Sequence, residues 1–423
     1  MLIIPEVLLA ACLVGNTAIG DTTLTELVPV PGIVNPEYTI TIDTIIDPLA
    51  YGIPVTSFCD QGRIGATAMF VDEGENEHWR IILLLHDRLV VLEEHEPKIR
   101  EVMFDFNPTR LFWSASGSYA ATSSSEHQDG LVDIRYLNLL EDSEGSFQAS
   151  LEALRSYRIM NSGTWVQEHC NASGSCFLAM DGANGAVDSI TDEEISIQDC
   201  FFPSHEDILV VQAEPSSWRS GYRYSRILTA QDAEFDTLWV VDTGRYTPTP
   251  AISSHGRYLI YGSRDGILCF NGRSGEPLFT GLLPFEVKAP TISPGEVAWV
   301  AGARAGGTSP SRFILGWFDS TRPMSTIFNG SNDYWGDEKI GGVSDTGRTV
   351  IWKPDERSYY SAAWMQLLDP EGHEIWNSGT ISMLEGVHQP VFNEGEHIIL
   401  ALSASGDRLL FSDYRSIYVL SIQ

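Results

Sequence analysis

The sequence predicts an all-β chain folded as a single β-propeller of seven or eight four-stranded antiparallel blades, with eight favoured by the repeat count. Three observations predict it. A Ser-x-x-Gly turn followed by a short apolar strand recurs at Ser114 to Gly117, Ser253 to Gly256, Ser344 to Gly347 and Ser403 to Gly406. Weaker copies fill the intervals, so that anchors at 74, 117, 163, 206, 256, 295, 347 and 395 are spaced by about 46 residues, a period that short strands produce in propeller blades. The apolar runs between turns are short and rich in Val, Ile, Leu, Tyr and Trp, too short for amphipathic helices.

The elements follow in chain order. Residues 1–20, MLIIPEVLLAACLVGNTAIG, have an apolar stretch from Val7 to Val14 and small residues before position 21, the layout of a signal peptide cleaved after Gly20. Leu9-Ala10-Ala11-Cys12 offers a second reading, a lipoprotein signal whose Cys12 is acylated. Residues 21–60 form an N-terminal arm whose alternating stretch Glu37 to Ile46 reads as a strand outside the repeat. Pairing it with the terminal strand Ser416 to Ile422 would close the ring and hide both sheet edges. The propeller itself runs over 61–423. Within it, Pro250 to Phe279 shows one whole period: a strand, a Gly turn, Tyr258 to Tyr261, an Arg-Asp-Gly turn, Ile267 to Phe270, a Ser-Gly turn, and Pro277 to Phe279. His78 to Met103 aligns with it, whereas Ser150 to Arg158 reads as a loop or a single helical turn. Gly395 and Gly406 compete for the last anchor.

Composition narrows the function classes. The chain has 423 residues with 26 Lys and Arg against 57 Asp and Glu, a formal net charge of −31. Such a surface repels phosphate backbones and anionic lipid, which leaves neutral or cationic partners and disfavours nucleic acid. Only Lys98, Lys288, Lys339 and Lys353 are lysines, a balance that fits both a saline habitat and a genome rich in Arg codons. Beyond the leader no apolar run approaches the roughly 18 residues of a membrane span. After removal of Cys12, five cysteines remain. Cys170 and Cys176 flank a turn-forming Asn-Ala-Ser-Gly-Ser and are candidates for a disulfide across a hairpin, or for two small buried apolar side chains.

The string Asp369-Pro-Glu-Gly372-His-Glu-Ile-Trp376, with echoes at Asn271 to Phe279 and Asp181 to Gly185, resembles the blade repeat of the pyrroloquinoline-quinone-like propellers. The Ser-x-x-Gly openings resemble WD-repeat-like exported propellers. The resemblance spans about residue 61 to 423 and implies fold. It implies a structural role for Trp376, whose ring would pack over the turn of an adjacent blade, and for Gly117, Gly256, Gly347 and Gly406. Quinone-dependent members carry an adjacent Cys-Cys pair and metal-binding Glu, Asn and Asp; neither motif is present here, so a quinone is not expected. In the near-sialidase string Ser344 to Thr349 the Asp falls one place early, and Asp345 reads as turn-forming. Gly-x-Ser-x-Gly, HExxH, phosphate-loop and dinucleotide fingerprints are absent from the sequence.

No cofactor is therefore expected. Calcium is the one ion with a candidate set, Asp333, Asp337 and Glu338 in the segment Asn329 to Glu338, which lacks the spacing of a calcium loop. The functional expectation is an exported bacterial scaffold, secreted or in the periplasm and cell envelope, monomeric, that binds a protein or extracellular polymer through its face loops. The alternative is a propeller enzyme, a degenerate quinoprotein dehydrogenase or a hydrolase or lyase, with its site at the channel. Loops that exceed a tight turn are Glu126 to Gly130, Glu214 to Tyr222, Arg304 to Arg312 and Asn329 to Asp337.

Overall fold

Short β-branched and aromatic runs bounded by Gly, Asn and Asp cannot be stable as single hairpins, so they assemble into sheets that bury each other's faces. The computed structural model describes residues 30–46 and, between 65 and 423, the strands given below with residues 85, 87, 94, 99, 104–106, 114, 116–118, 139–142, 160–163, 253, 256–257, 272–276, 293–295, 344–348, 369–373, 403–407, 416 and 423. Among the described residues every regular element is a strand, and the strands form eight antiparallel sheets. Sheet 1 holds Gly65–Asp72, Glu77–Leu84, Arg88–Glu93 and Arg100–Met103. Sheet 2 holds Pro108–Trp113, Tyr119–Ser124, Leu131–Asn138 and Ser143–Ser150; sheet 3 holds Tyr157–Ile159, Thr164–Asn171, Gly174–Asp181 and Gly185–Thr191. Sheet 4 holds Ile195–Phe201, Leu209–Pro215, Ser225–Gln231 and Thr237–Arg245; sheet 5 holds Ala251–Ile252, Tyr258–Ser263, Gly266–Asn271 and Pro277–Leu282. Sheet 6 holds Val287–Ile292, Ala298–Arg304, Arg312–Asp319 and Arg322–Ser331; sheet 7 holds Lys339–Val343, Thr349–Pro354, Ala362–Leu368 and Glu374–Ser382. Sheet 8 takes Leu400–Leu402, Arg408–Ser412 and Ile417–Ile422 from the end of the chain.

Each sheet is an up-and-down meander, and the first strands of sheets 5, 6, 7, 8, 1, 2 and 3 lie side by side in that order. This is a β-propeller arrangement. The expected period over Pro250 to Phe279 appears as sheet 5; of the segment Ser150 to Arg158, Ser150 ends one strand, Tyr157 and Arg158 belong to the next, and residues 151–156 lie outside the described residues. Burial follows the alternation of strands sandwiched between two neighbours. In the continuous run Ile81-Ile-Leu-Leu84, Ile81 and Leu83 pack with Leu410, Ile417 and Val419 of sheet 8. Ile82 and Leu84 pack on the other face with Leu111, Ala120 and Leu137 of sheet 2. A strand covered on both faces has no need of polar alternation, which explains the unbroken apolar run. Cys269 is buried with a free thiol, and desolvation pushes its pKa up to about 12.

The N-terminal arm is bound to the last two sheets. Ile40–Ile46 pairs antiparallel with Ile417–Ile422, from Ile40 opposite Ile422 to Ile46 opposite Ile417, and supplies the fourth strand of sheet 8. Ile33–Val34 adds a fifth strand to sheet 7 beside Glu374–Ser382. The arm is also pinned by side chains: Asn35 Nδ2 donates to the Glu374 carbonyl at 2.8 Å, and Tyr38 Oη donates to Asp369 Oδ2 at 3.0 Å. Asp369 accepts in addition from the His373 amide at 2.7 Å and faces the His373 ring at 3.1 Å.

Burial acts to raise the Asp369 carboxyl, but the hydrogen bonds from the His373 amide, Tyr38 and the His373 ring outweigh it, and the net shift is below 3.8. A carboxylate with a lowered folded pKa contributes stability that is present above the unfolded value and lost as pH falls through the folded value. Wild type is therefore expected to melt above Asp369→Asn at neutral pH, with the gap closing below about pH 4. Thermal midpoints measured from pH 7 to pH 2.5 check this; a gap independent of pH would contradict it.

Candidate functional site

In an up-and-down sheet the connections from the first to the second strand and from the third to the fourth share one end, while the remaining connections share the other. The Ser-x-x-Gly motifs are the first-to-second turns of sheets 2, 5, 7 and 8, so they all lie at one end. In each, the Gly amide donates to the Ser carbonyl, at 2.9 Å for Gly117, 2.8 Å for Gly256, and 3.0 Å for Gly347 and Gly406. Ser114, Ser253 and Ser403 also accept, through Oγ, the amide that opens the second strand, at 3.0, 3.0 and 2.9 Å. All four serines are buried. The four glycines have positive φ, and at Gly406 a Cβ would in addition stand 2.5 Å from Ser344 Oγ of the preceding sheet. For the last sheet the anchor is Gly406; Gly395 lies outside the described residues.

These turns are bonded to each other from sheet to sheet. Ser116 N donates to Asn161 Oδ1 at 3.0 Å, and Gly295 N donates to Asp345 Oδ1 at 2.6 Å. In both cases the acceptor occupies the second position of the next sheet's turn. Asp345 is therefore more than a turn former: it clamps sheet 6 to sheet 7. Asp345 N in turn donates to the Ala404 carbonyl at 2.7 Å, and Ala404 N donates to Glu77 Oε1 of sheet 1 at 2.7 Å. Arg80, buried against Glu93, donates to the Gly117 carbonyl at 2.8 Å and so links sheet 1 to sheet 2. An end locked in this way has little freedom to adapt to a ligand.

The other end carries most of the longer connections, although 202–208, which joins the first and second strands of sheet 4, lies at the serine-turn end. Segments 125–130, 216–224, 305–311 and 355–361 join second to third strands, and 332–338 and 383–399 join one sheet to the next. The long loops expected from sequence all belong to this end. Asp333, Asp337 and Glu338 lie outside the described residues, on the connection from Ser331 to Lys339. Cys170 stands opposite Ser175 and Cys176 opposite His169, so the two cysteines are not cross-strand partners in this register. Their side chains are outside the described ones.

Trp376 is fully buried between sheets 7 and 8, tilted against Phe411 at a centroid distance of 5.2 Å, with Nε1 donating to the Pro31 carbonyl at 2.7 Å. Sequence reading missed its counterpart, Trp239. Both occupy the third position of a fourth strand, and Trp239 packs on the third-to-fourth turn of sheet 5, donating to the Gly272 carbonyl at 2.9 Å beside Gly275. Sheet 8 has no such turn because its fourth strand comes from the arm, and the Pro31 carbonyl takes that place. The resembling strings Asn271 to Gly275 and Asp369 to Gly372 are the third-to-fourth turns of sheets 5 and 7, closed by Gly275 N to the Asn271 carbonyl at 2.8 Å and Gly372 N to the Asp369 carbonyl at 3.0 Å.

No protein-family model and no curated protein matches the sequence. Among solved structures, the chain is similar to the Dos1 propeller, with a TM-score of 0.48 and 13% identity over 86% of this chain and 93% of that one. It is also similar to a crystal structure of the eukaryotic initiation factor, with a TM-score of 0.45 and 12% identity over 76% of this chain and 89% of that one. The propeller assignment rests on the sheets themselves.

Proposed function

We propose that the chain is a closed eight-bladed propeller, exported to the cell envelope or beyond, that binds a protein or extracellular polymer through its loop end. The observation that carries the functional reading is the asymmetry of the two ends: the hydrogen-bonded serine turns of four sheets at one, most of the connections of six residues or more at the other. Function concentrates in loops held by a rigid scaffold. Closure is supported by what joins the last sheet to the first. Arg408 pairs with Glu94 at 2.6 Å and lies over the Phe70 ring at 5.3 Å from its centroid. Beneath it Leu410 and Val419 share one apolar cluster with Trp79 and Ile81. The acidic surface favours neutral or cationic macromolecular partners.

The scaffold reading draws support from the first strands of sheets 5 and 8, Ala251–Ile252 and Leu400–Leu402, which carry only small or aliphatic side chains, although the other first strands carry Asp72, Arg110, Arg158, Asp199, Lys288 and Lys339. Photocrosslinking in the native host tests it. A reactive residue placed in 216–224 is expected to capture a partner, while one placed at Thr346 in the serine turns is not. Equal capture from both, or capture from Thr346 alone, would overturn the reading. Export is read from the mature N-terminus by mass spectrometry, as Asp21 for a cleaved signal peptide or an acylated Cys12 for a lipoprotein; an intact Met1 would contradict it.

A further inference from the structure

The outer strand of a blade leaves one edge of main-chain donors and acceptors unpaired, and on sheet 7 the chain fills such an edge itself. There the fourth strand opens with a bulge: Trp376 faces Leu367 and Glu374 faces Leu368, with Ile375 unopposed between them. Ile33–Val34 of the arm adds to the far side of this strand, Val34 opposite Trp376 and Ile33 opposite Asn377, and Asn35 N donates to the Ile375 carbonyl at 2.9 Å. Ile375 is fully buried, in the apolar cluster that it shares with Val34, Tyr38 and Ile40 of the arm.

Sheet 4 repeats this opening without the cover. Trp239 faces Ala230 and Thr237 faces Gln231, which leaves Leu238 unopposed at the position of Ile375. Among the described residues no strand pairs with the outer edge of Thr237–Arg245. Leu238 is 43% exposed and Val240 60%, while Trp239 between them is buried in a cluster with residues of sheet 5. Other outer strands are guarded against strand addition: Arg100–Met103 is short and opens on two charges, Ser143–Ser150 is mostly polar, and in sheet 5, which has the same bulge at Leu278, Pro277 lacks a main-chain donor. Thr237–Arg245 contains neither Lys nor Pro, and the arm on sheet 7 shows that the bulge alone does not stop a strand from adding. An unguarded edge with exposed aliphatic side chains is what strand addition uses, the main chain supplying affinity and the side chains specificity.

Charge selects the occupant. Over residues 195–245 the basic positions Arg219, Arg223, Arg226 and Arg245 all lie at the loop end of sheet 4, whereas Glu206, Asp207, Asp232, Glu234 and Asp236 lie with His205 on its two connections at the serine-turn end. The adjoining turn of sheet 5 adds one charge of each sign, Arg273 and Glu276. A strand antiparallel to Thr237–Arg245, as Ile33–Val34 is to Glu374–Ser382, brings its C-terminal end to the acidic side. A second copy carries the same net charge of −31, which disfavours self-pairing. We propose that the outer edge of Thr237–Arg245 takes an added antiparallel strand from a partner protein, an extended apolar segment followed by Lys or Arg, seated on Leu238 and Val240. This site lies on the rim and does not rest on the reading of the loop end, so each can hold or fail alone.

The test uses the full mature chain and a fluorescent peptide of alternating Val and Thr with both termini blocked, carrying a pair of Lys after the alternating stretch in one version and before it in the other. Fluorescence anisotropy is expected to show saturable binding, about fivefold tighter when the Lys pair comes last. Val240→Lys is expected to weaken it by about tenfold, through lost apolar contact and repulsion of the Lys pair. Val240→Thr, a mild change at an exposed strand position, is expected to weaken it by about threefold and serves if the Lys variant does not fold. Ile33→Lys, on the exposed face of the strand added to sheet 7, is expected to retain binding. No saturable binding, equal binding of the two peptide versions, binding that neither Val240 variant weakens, or loss in Ile33→Lys instead would overturn the proposal. Dimers in size-exclusion chromatography that Val240→Lys abolishes would overturn it too, since a second copy would then be the occupant. Crosslinking from 216–224 reads the loop end separately.

Discussion

Removing residues 21–46 is expected to destabilise the fold by on the order of 5–10 kcal/mol, most of the stability a domain of ordinary size possesses. The buried Ile40 and Ile46 side chains are worth about 2–3 kcal/mol each, and the deletion also strips the cover from Trp376 and leaves the polar ladder of Ile417–Ile422 unpaired. That strand becomes an open apolar edge, a template for pairing with another copy. The urea midpoint should fall steeply, with self-association visible by size-exclusion chromatography. A truncated chain that unfolds within about 0.5 M urea of the full one would show that the arm is an accessory.

Trp376→Ala is expected to cost about 3–5 kcal/mol, the range for emptying a fully buried large aromatic site. Two contributions can be separated. Trp376→Phe keeps most of the packing against Phe411 but removes the donor to the Pro31 carbonyl, so its cost should be nearer 1–2 kcal/mol. Because the indole and the arm stabilise the same seam, Trp376→Ala should cost less in the arm-deleted chain than in the full one. Chemical denaturation of the four proteins gives the coupling. Additive losses would mean that Trp376 acts within sheet 7 alone.

The turns and the closing strand were legible because their chemistry is local. A Ser-x-x-Gly turn needs a small residue at positive φ and a side-chain acceptor five residues before the strand's opening amide, and both requirements are written within six residues at Ser114, Ser253 and Ser403. The alternation of Glu37 to Ile46 likewise marked a half-covered strand before any partner was known. The contacts that tie the sheets together were not legible, since Asn161, Asp345, Glu77, Glu94 and Arg408 each act on a residue of another sheet and resemble ordinary turn or surface residues in sequence. Gly395 and Gly406 competed for one anchor because both local patterns match a turn, and the pairing of Leu400–Leu402 with Arg408–Ser412 gives the turn of the last sheet to Gly406. Trp239 could have been found. Thr237-Leu-Trp239 and Glu374-Ile-Trp376 set tryptophan at the same strand position, a match hidden by the different turns that precede them.

Native-state hydrogen exchange of the full chain, read at the amides of Ile40–Ile46 and Ile417–Ile422, tests closure of the ring by the arm most directly. If the arm closes the ring, its hydrogen-bonded amides exchange only through global unfolding, with the same free energy and denaturant dependence as the buried Ile81 to Leu84 run. Exchange of the arm by local opening, while Ile81 to Leu84 remains protected, would show that the ring stands without it.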